Sequence, residues 1–515
     1  MKNFLIKNQN KALFILLLAE TILYYFCGHL LIESAYKSES ISVFNDLFKG
    51  RTKNSLVFYL HRADLFYSTI NIVLYSFIYA LSLLLRTFSE QKQSSRNIQI
   101  NITRTNLLSI IKNKEILPSF ILFFIFSILY IYLGLSLVGQ HDKIDFLGGD
   151  IWKAGRAWTT FSATKPTYFK GSHPLFLLFV CPWGSLLNSL TKSPEVTVTI
   201  LDSLFGAFAV FLSSIFFKKL TNKSTQALLL ATVFGLSMSQ LVFSSVPETY
   251  ALAGCSIITT YILFLTCLQE KKLYIGYWIL AGLFTFSVTI TNFTQTLICF
   301  IITVLILRRG KTTLTVILEF IGSVVALAFI LSIFQKIIIT HAPYFFMPDT
   351  VGTETKYIHS FLSAQPLIVM KELVKHFFVV NFVSPYPFMG ISSENHSQIE
   401  LTFFMHKLNY SLIGGIGTII WLCLLIPGFL KNILSVHKNA LILALGGSLL
   451  FNMAFHSFFG TDEMFLYTCN FTFIVLALAI HKLFLNQVYF KIGLVLLIIF
   501  MLINNLMIME KIINL

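Results

Sequence analysis

Long apolar runs separated by short polar gaps dominate the chain. Runs near the length of about 20 residues that spans a bilayer occur at Ala12 to Ile32, Phe66 to Leu85, Pro118 to Val138, Val196 to Phe217, Gln226 to Phe243 and Leu252 to Leu268. They continue at Tyr277 to Thr291, Phe293 to Leu307, Thr315 to Phe334, Leu412 to Leu430, Ala440 to Phe455 and Phe471 to Ile480, and a last run ends the chain. Only helices and closed barrels satisfy their backbone in lipid, and these runs are too long for barrel strands. The pattern predicts an all-α polytopic membrane protein, a bundle of about 13 transmembrane helices. The first run exceeds the h-region of a signal peptide and no small-residue cleavage site follows it, so it reads as a span.

Composition agrees. Of 515 residues 56% are hydrophobic and 12% charged, against about 25% charged in a soluble domain. The formal net charge of +15 does not point to nucleic acid, because Lys and Arg fall in short gaps, where they act as topology signals. Cys27, Cys181, Cys255, Cys267, Cys299, Cys423 and Cys469 have no CxxC spacing and read as small hydrophobes.

Charge then orders the spans. Lys2, Lys7 and Lys11 place the N-terminus in the cytoplasm, and Arg86, Lys92, Arg96, Arg104, Lys112 and Lys114 mark a cytoplasmic linker. Three regions follow: residues 1–115, a two-span unit with that linker; 116–310, a core; and 311–515, C-terminal spans with a large outside loop at 335–411. The count turns on the moderately apolar segment His173 to Leu190. If it crosses, Lys218–Lys219, Glu270–Lys272 and Arg308–Lys311 all lie outside. If it stays at the interface as a juxtamembrane helix, all three are cytoplasmic, and the second count is the one adopted. It gathers the acids of Gln140 to Asp150, Glu248 and Thr461-Asp462-Glu463 on the opposite face, with the C-terminus.

Those acids are the candidate chemistry. In the first outside loop Asp142, Asp145 and Asp150 stand beside His141, Lys153, Arg156, Lys165, Lys170 and His173. Asp150 follows Gly148-Gly149, and the stretch after it has helical spacing; it reads equally as an interfacial helix with Asp150 as N-cap and Trp152 and Trp158 as aromatic anchors. Glu248, in Pro247-Glu248-Thr249-Tyr250, opens a span, where an acid also suits the helix dipole. His456 to Glu463 reads as a solvated turn before a metal or phosphate site. Asn292 and Gln295 either line a cavity or pack between helices. A lipid-linked sugar presents its phosphate at headgroup level. Attack on it by an acceptor hydroxyl needs a general base, and the leaving phosphate needs positive charge; this loop carries both kinds of group.

The order of these motifs resembles the GT-C glycosyltransferase superfamily, polytopic enzymes that use polyprenyl- or dolichyl-phosphate sugars. Asp150, in Gly149-Asp150-Ile151-Trp152-Lys153-Ala154-Gly155-Arg156-Ala157, is similar to the first-loop acid. His173-Pro174-Leu175 is similar to the motif that opens a membrane-hugging helix, and Glu248 in Pro247-Glu248-Thr249-Tyr250-Ala251-Leu252 to the later acid of the protein O-mannosyltransferase-like branch. The likeness covers Pro118 to Arg309. A single Pro follows His173, and no second acid follows Asp150, which leaves Asp142, Asp145 and Asp150 all open as the base.

The resemblance implies an inverting membrane glycosyltransferase of hexosyl or pentosyl type. Asp150 and Glu248 would be site acids, and Lys153, Arg156 and His173 donor-phosphate contacts. A divalent metal ion is a conceivable cofactor, and the acceptor is a protein, lipid or glycan hydroxyl. The Lys-, Asn- and Ile-rich bias points to a bacterial inner membrane, with the site facing the periplasm or exterior. The first rival is a transporter or flippase of a lipid-linked or polar solute, which would show related halves and mid-membrane charges; neither is expected, since the acids keep to span ends. The second is a glycan polymerase or ligase built on the loop at 335–411.

Overall fold

A computed structural model describes residues 116–140, 143–146, 153–162, 171–308, 313–346, 357–358, 366–391, 399–436 and 439–515. The expected N-terminal spans, Ala12 to Ile32 and Phe66 to Leu85, lie outside the described residues, as do Asp142 and Asp150.

The described chain is mainly helical: α1 (Leu117–Leu137), α2 (Lys153–Thr159), α3 (Phe176–Thr191), α4 (Pro194–Thr221), α5 (Ser224–Leu236), α6 (Met238–Phe243), α7 (Tyr250–Glu270), α8 (Ile275–Val288), α9 (Phe293–Leu307), α10 (Thr313–Ile338), α11 (Pro366–Lys375), α12 (Leu412–Leu434), α13 (Ala440–His456), α14 (Thr472–Ala479), α15 (Lys482–Leu485) and α16 (Val488–Ile513). Among the described residues seven helical segments are long and apolar enough to cross a membrane: α1, α4, α7, α9 with the turn before it, α10, α12 and α16. α3, α5, α8 and α13 are shorter apolar helices. The protein is therefore an integral membrane protein by its helices.

Capping is written locally. Ser193 Oγ accepts the Val196 N–H at the start of α4, and Pro194 sits in its first turn, where a missing N–H costs nothing. Glu195 in the first turn and Lys218 and Lys219 in the last oppose the helix dipole. Asn222 closes α4 in the left-handed region at φ 57°, a conformation asparagine tolerates.

Hydrogen bonds sort the helix ends into two sets. At one end Lys223 Nζ donates to Asn486 Oδ1 at 2.7 Å, Gln226 Nε2 reaches the Leu485 carbonyl, and Gln269 Nε2 reaches that of Lys219. At the other, Gln140 Nε2 donates to the Ile513 carbonyl at 3.1 Å, so the chain ends beside the exit of α1. Gly134 explains the close contact there. A Cβ on it would lie 2.5 Å from Thr199 Cγ2 and 2.8 Å from the Ser245 carbonyl.

The segment after His173 begins and ends at this second, loop end. The Leu175 N–H donates to the Ser287 carbonyl at 3.0 Å and the Leu178 N–H to Gln335 Oε1 at 2.9 Å, beside the ends of α8 and α10. At its far end Thr191 shares a hydrogen bond with Thr197, two residues from Thr199. Helix α3 thus lies across the loop end, with Trp183, Leu186 and Leu190 exposed along one face and Phe176, Val180 and Cys181 buried. Gly184 lets it touch α2; a Cβ there would meet the Trp158 carbonyl at 2.1 Å.

Four expectations need correction. The run Gln226 to Phe243 is no single helix, because Ser237 breaks it into α5 and α6, its Oγ donating to the Phe234 carbonyl. The freed groups find neighbours: the Met238 N–H donates to Phe382 and Ser239 to Asn381, and the Leu236 carbonyl accepts from Asn505. A helix broken inside the bundle survives only with such partners. Second, the helical bundle, all-α as expected, carries in addition a small three-stranded sheet where the sequence predicts only loops, in the order β1-β3-β2: β1 (Ile144–Phe146), β2 (Phe388–Ile391) and β3 (Ile399–Thr402). It ties the first loop to the later one, parallel, with Asp145 in register opposite Glu400. Strands of three or four residues are too short for a period-two pattern to register. Third, Trp158 is no interfacial anchor; it is buried, its ring 4.9 Å from that of Phe176. Fourth, His456 to Glu463 is no solvated turn: His456, Gly460 and Thr461 are buried and only Phe458 and Asp462 are exposed.

Candidate functional site

His173 and Thr249, the residue after Glu248, meet at the loop end, 76 positions apart in sequence. His173 Nδ1 lies 2.6 Å from the Val288 carbonyl and 3.4 Å from Thr289 Oγ1, which ties the start of α3 to the end of α8. Its Nε2 is 3.5 Å from Thr249 Oγ1. Thr249 is the residue preceding α7, and its N–H donates to Glu248 Oε2 at 3.2 Å. The half-buried Glu248 carboxylate thus serves an N–H left over at a helix start, the structural role its position also suggested.

Beneath Glu248 lies a residue that the expectation of acids at span ends overlooks. Asp202, inside α4, is fully buried, and the Glu248 N–H faces its Oδ2 at 3.5 Å. Its signal was plain in the sequence, a lone acid inside the apolar run Val196 to Phe217.

Helix α2 carries the Lys153 and Arg156 positions and is held at the same end. Cys181 Sγ donates to the Ala157 carbonyl at 3.0 Å, and His341 Nε2 lies 3.2 Å from it. Burial pushes His341 below its usual range, outweighing the opposing pull of that carbonyl. The side chains of Lys153, Arg156 and Asp145 lie outside the description. Helix α2, which carries the Lys153 and Arg156 positions, thus packs on α3, and the backbone of Asp145 pairs with that of Glu400 in the sheet.

Residues 456–470 wall the mouth on the far side. The Tyr467 ring is 5.9 Å from Tyr250 and stacks 4.5 Å from His456. Thr468 Oγ1 donates to Ser239 Oγ, and Asn470 accepts from Asn292 Nδ2 at 2.9 Å and from Gln295 at 3.2 Å. Asn292 and Gln295 are thus polar packing between helices. An apolar crevice lined by Met238, Val242, Val246, Leu401 and Phe403 runs up to within two residues of Glu248.

A second buried polar group follows in the late loop. Glu372 pairs with Lys375, which donates to the Phe403 carbonyl at 2.6 Å, and His376 Nδ1 donates to the Glu372 carbonyl at 2.9 Å. Burial lowers Lys375, against the pull of Glu372, and drives His376 down to about 3. The Glu-x-x-Lys-His spacing, which puts all three on one helix face, was its sequence signal.

Among the described residues no group of three His, Cys, Asp or Glu side chains is set to hold a metal ion. Compared with known proteins, the chain matches no family model, no curated protein and no solved structure.

Proposed function

We propose that the protein is an inverting membrane glycosyltransferase that moves a sugar from a polyprenyl- or dolichyl-phosphate donor to an acceptor hydroxyl. One observation carries the reading: the histidine that opens the interfacial helix lies 3.5 Å from the threonine that follows Glu248. A base must stand within reach of the acceptor proton, and cationic groups must face the leaving phosphate. Glu248 and the first-loop acids Asp142, Asp145 and Asp150 supply the first, and Lys153, Arg156 and His173 the second. The first-loop acids and Glu248 are the residues that would hold a divalent ion.

The experiment is transfer of labelled sugar from a synthetic polyprenyl-phosphate donor by the purified full chain in nanodiscs. Asp150→Ala and Glu248→Gln should each lower transfer by on the order of 10²-fold or more. Full activity in both variants removes the assignment.

Transport is the second reading, and Asp202 favours it, because an ionisable residue buried within a span commonly marks a solute or ion path. Solute flux into proteoliposomes, without glycosyl transfer under any donor, would select it.

A further inference from the structure

Three buried oxygens beside Glu248 have no hydrogen-bond partner among the described residues: Thr199 Oγ1, Asp202 Oδ1 and Ser245 Oγ. All three residues are at most 1% exposed. Thr199 and Asp202 stand one turn apart on α4, on the same face. Ser245 lies against that face, since Ser203 Oγ donates to the neighbouring Ser244 carbonyl at 2.9 Å. The Gly134 position closes the third side, with the Thr199 Cγ2 methyl and the Ser245 backbone at its edge, which sets Thr199 and Ser245 side by side. Gln240, the nearest amide, is already committed to the Gly206 carbonyl and to Ser244 Oγ.

A buried carboxylate without a compensating charge is costly, and two unbonded hydroxyls beside it add the penalty of unsatisfied polar groups. No Lys or Arg is paired with Asp202 among the described residues. One ligand would relieve all three oxygens together. We propose that Thr199, Asp202 and Ser245 bind one small hard monovalent cation of sodium type. Hard cations take oxygen donors of this kind, a carboxylate with neutral oxygens. The single charge matches the donors: Asp202 supplies one carboxylate, and Thr199 and Ser245 supply neutral hydroxyls. Bound there, the cation would hold Asp202 Oδ2 against the Glu248 N–H and so fix the start of α7. The proposal does not rest on the transferase reading, and either can fail alone.

The test is thermal unfolding of the purified full chain in lipid nanodiscs, titrated with NaCl against choline chloride at constant ionic strength. Sodium should raise Tm by roughly a few degrees and saturate, choline should not, and binding of labelled sodium should approach one ion per chain. Thr199→Val and Asp202→Asn should abolish both signals; if the second fails to fold, Ser245→Ala serves with the first. A Tm that ignores sodium, with no bound ion, overturns the proposal in favour of a proton or water at Asp202. Sodium binding that survives Thr199→Val together with Asp202→Asn or Ser245→Ala overturns it as well.

Discussion

His173 Nδ1 lies 2.6 Å from the Val288 carbonyl, which can only accept, so Nδ1 carries the hydrogen and Nε2 the lone pair in the neutral ring. The two nitrogens thereby have separate tasks, one tying α3 to α8 and the other facing Thr249. His173→Asn, whose amide nitrogen stands near the Nδ1 level, should keep the tether and lose Nε2. Its melting temperature should stay within a few degrees of the parent while sugar transfer falls on the order of 10²-fold. Parallel loss of both quantities would reduce His173 to a tether.

Gln335 clamps the same helix start from α10. Its Oε1 accepts the Leu178 N–H and its Nε2 donates to the Pro174 carbonyl at 3.0 Å. Gln335→Leu should take this donor from the buried Pro174 carbonyl at about 1–3 kcal/mol and leave the Leu178 N–H with its bond to the Leu175 carbonyl. Calorimetry or a fluorescence melt measures the loss.

The contact of α3 with α2 depends on Gly184. A methyl group there would press on a backbone carbonyl, which cannot swing aside as a side chain can. Gly184→Ala should cost on the order of 1–3 kcal/mol by overpacking, whereas Gly415→Ala, with open space around it, should change stability by under about 1 kcal/mol.

His376 makes the late loop acid-sensitive. Its folded pKa of about 3 lies below the ordinary histidine value of 6.5, so the folded state prefers the neutral ring. That contribution is fully present above pH 6.5 and is lost as pH falls toward 3. Between pH 7 and 4 the protein should lose stability on the order of 3 kcal/mol from this residue. His376→Asn, with an amide near Nδ1, should flatten the dependence of Tm on pH. An unchanged slope would mean that other groups dominate acid unfolding.

The lie of α3 is open to labelling. With Cys423, the exposed cysteine among those described, replaced by alanine, Ser162→Cys and Ser189→Cys, exposed positions before α3 and near its end, should react with impermeant maleimide from the same side of a vesicle, and Lys219→Cys from the other. Reaction of Ser162→Cys and Ser189→Cys from opposite sides would place α3 across the bilayer.

What the sequence determined by itself was local. Run length against bilayer thickness made the helices legible, from Pro118 to Val138 through to the last span, because a backbone in lipid has few other options. The Ser193-Pro194-Glu195 start and the Lys218-Lys219 end of α4 were readable for the same reason: caps and dipole terms act within one turn. The interfacial reading of the segment after His173 came from charge counting, whereas the partners of its two ends, Ser287 and Gln335 at one and Thr197 at the other, were set by the fold. Tertiary structure decided the rest. Nothing near Ser237 in sequence says that Phe382, Asn381 and Asn505 wait to take the broken helix's backbone groups. The pairing of Ile144–Phe146 with Ile399–Thr402 spans more than 250 positions. Asp202 was in plain view, but a lone acid in an apolar run acquires meaning only when Thr199, Ser245 and Glu248 are packed around it. Pairing and burial across distant segments are properties of the folded chain, since each needs two surfaces that meet only there.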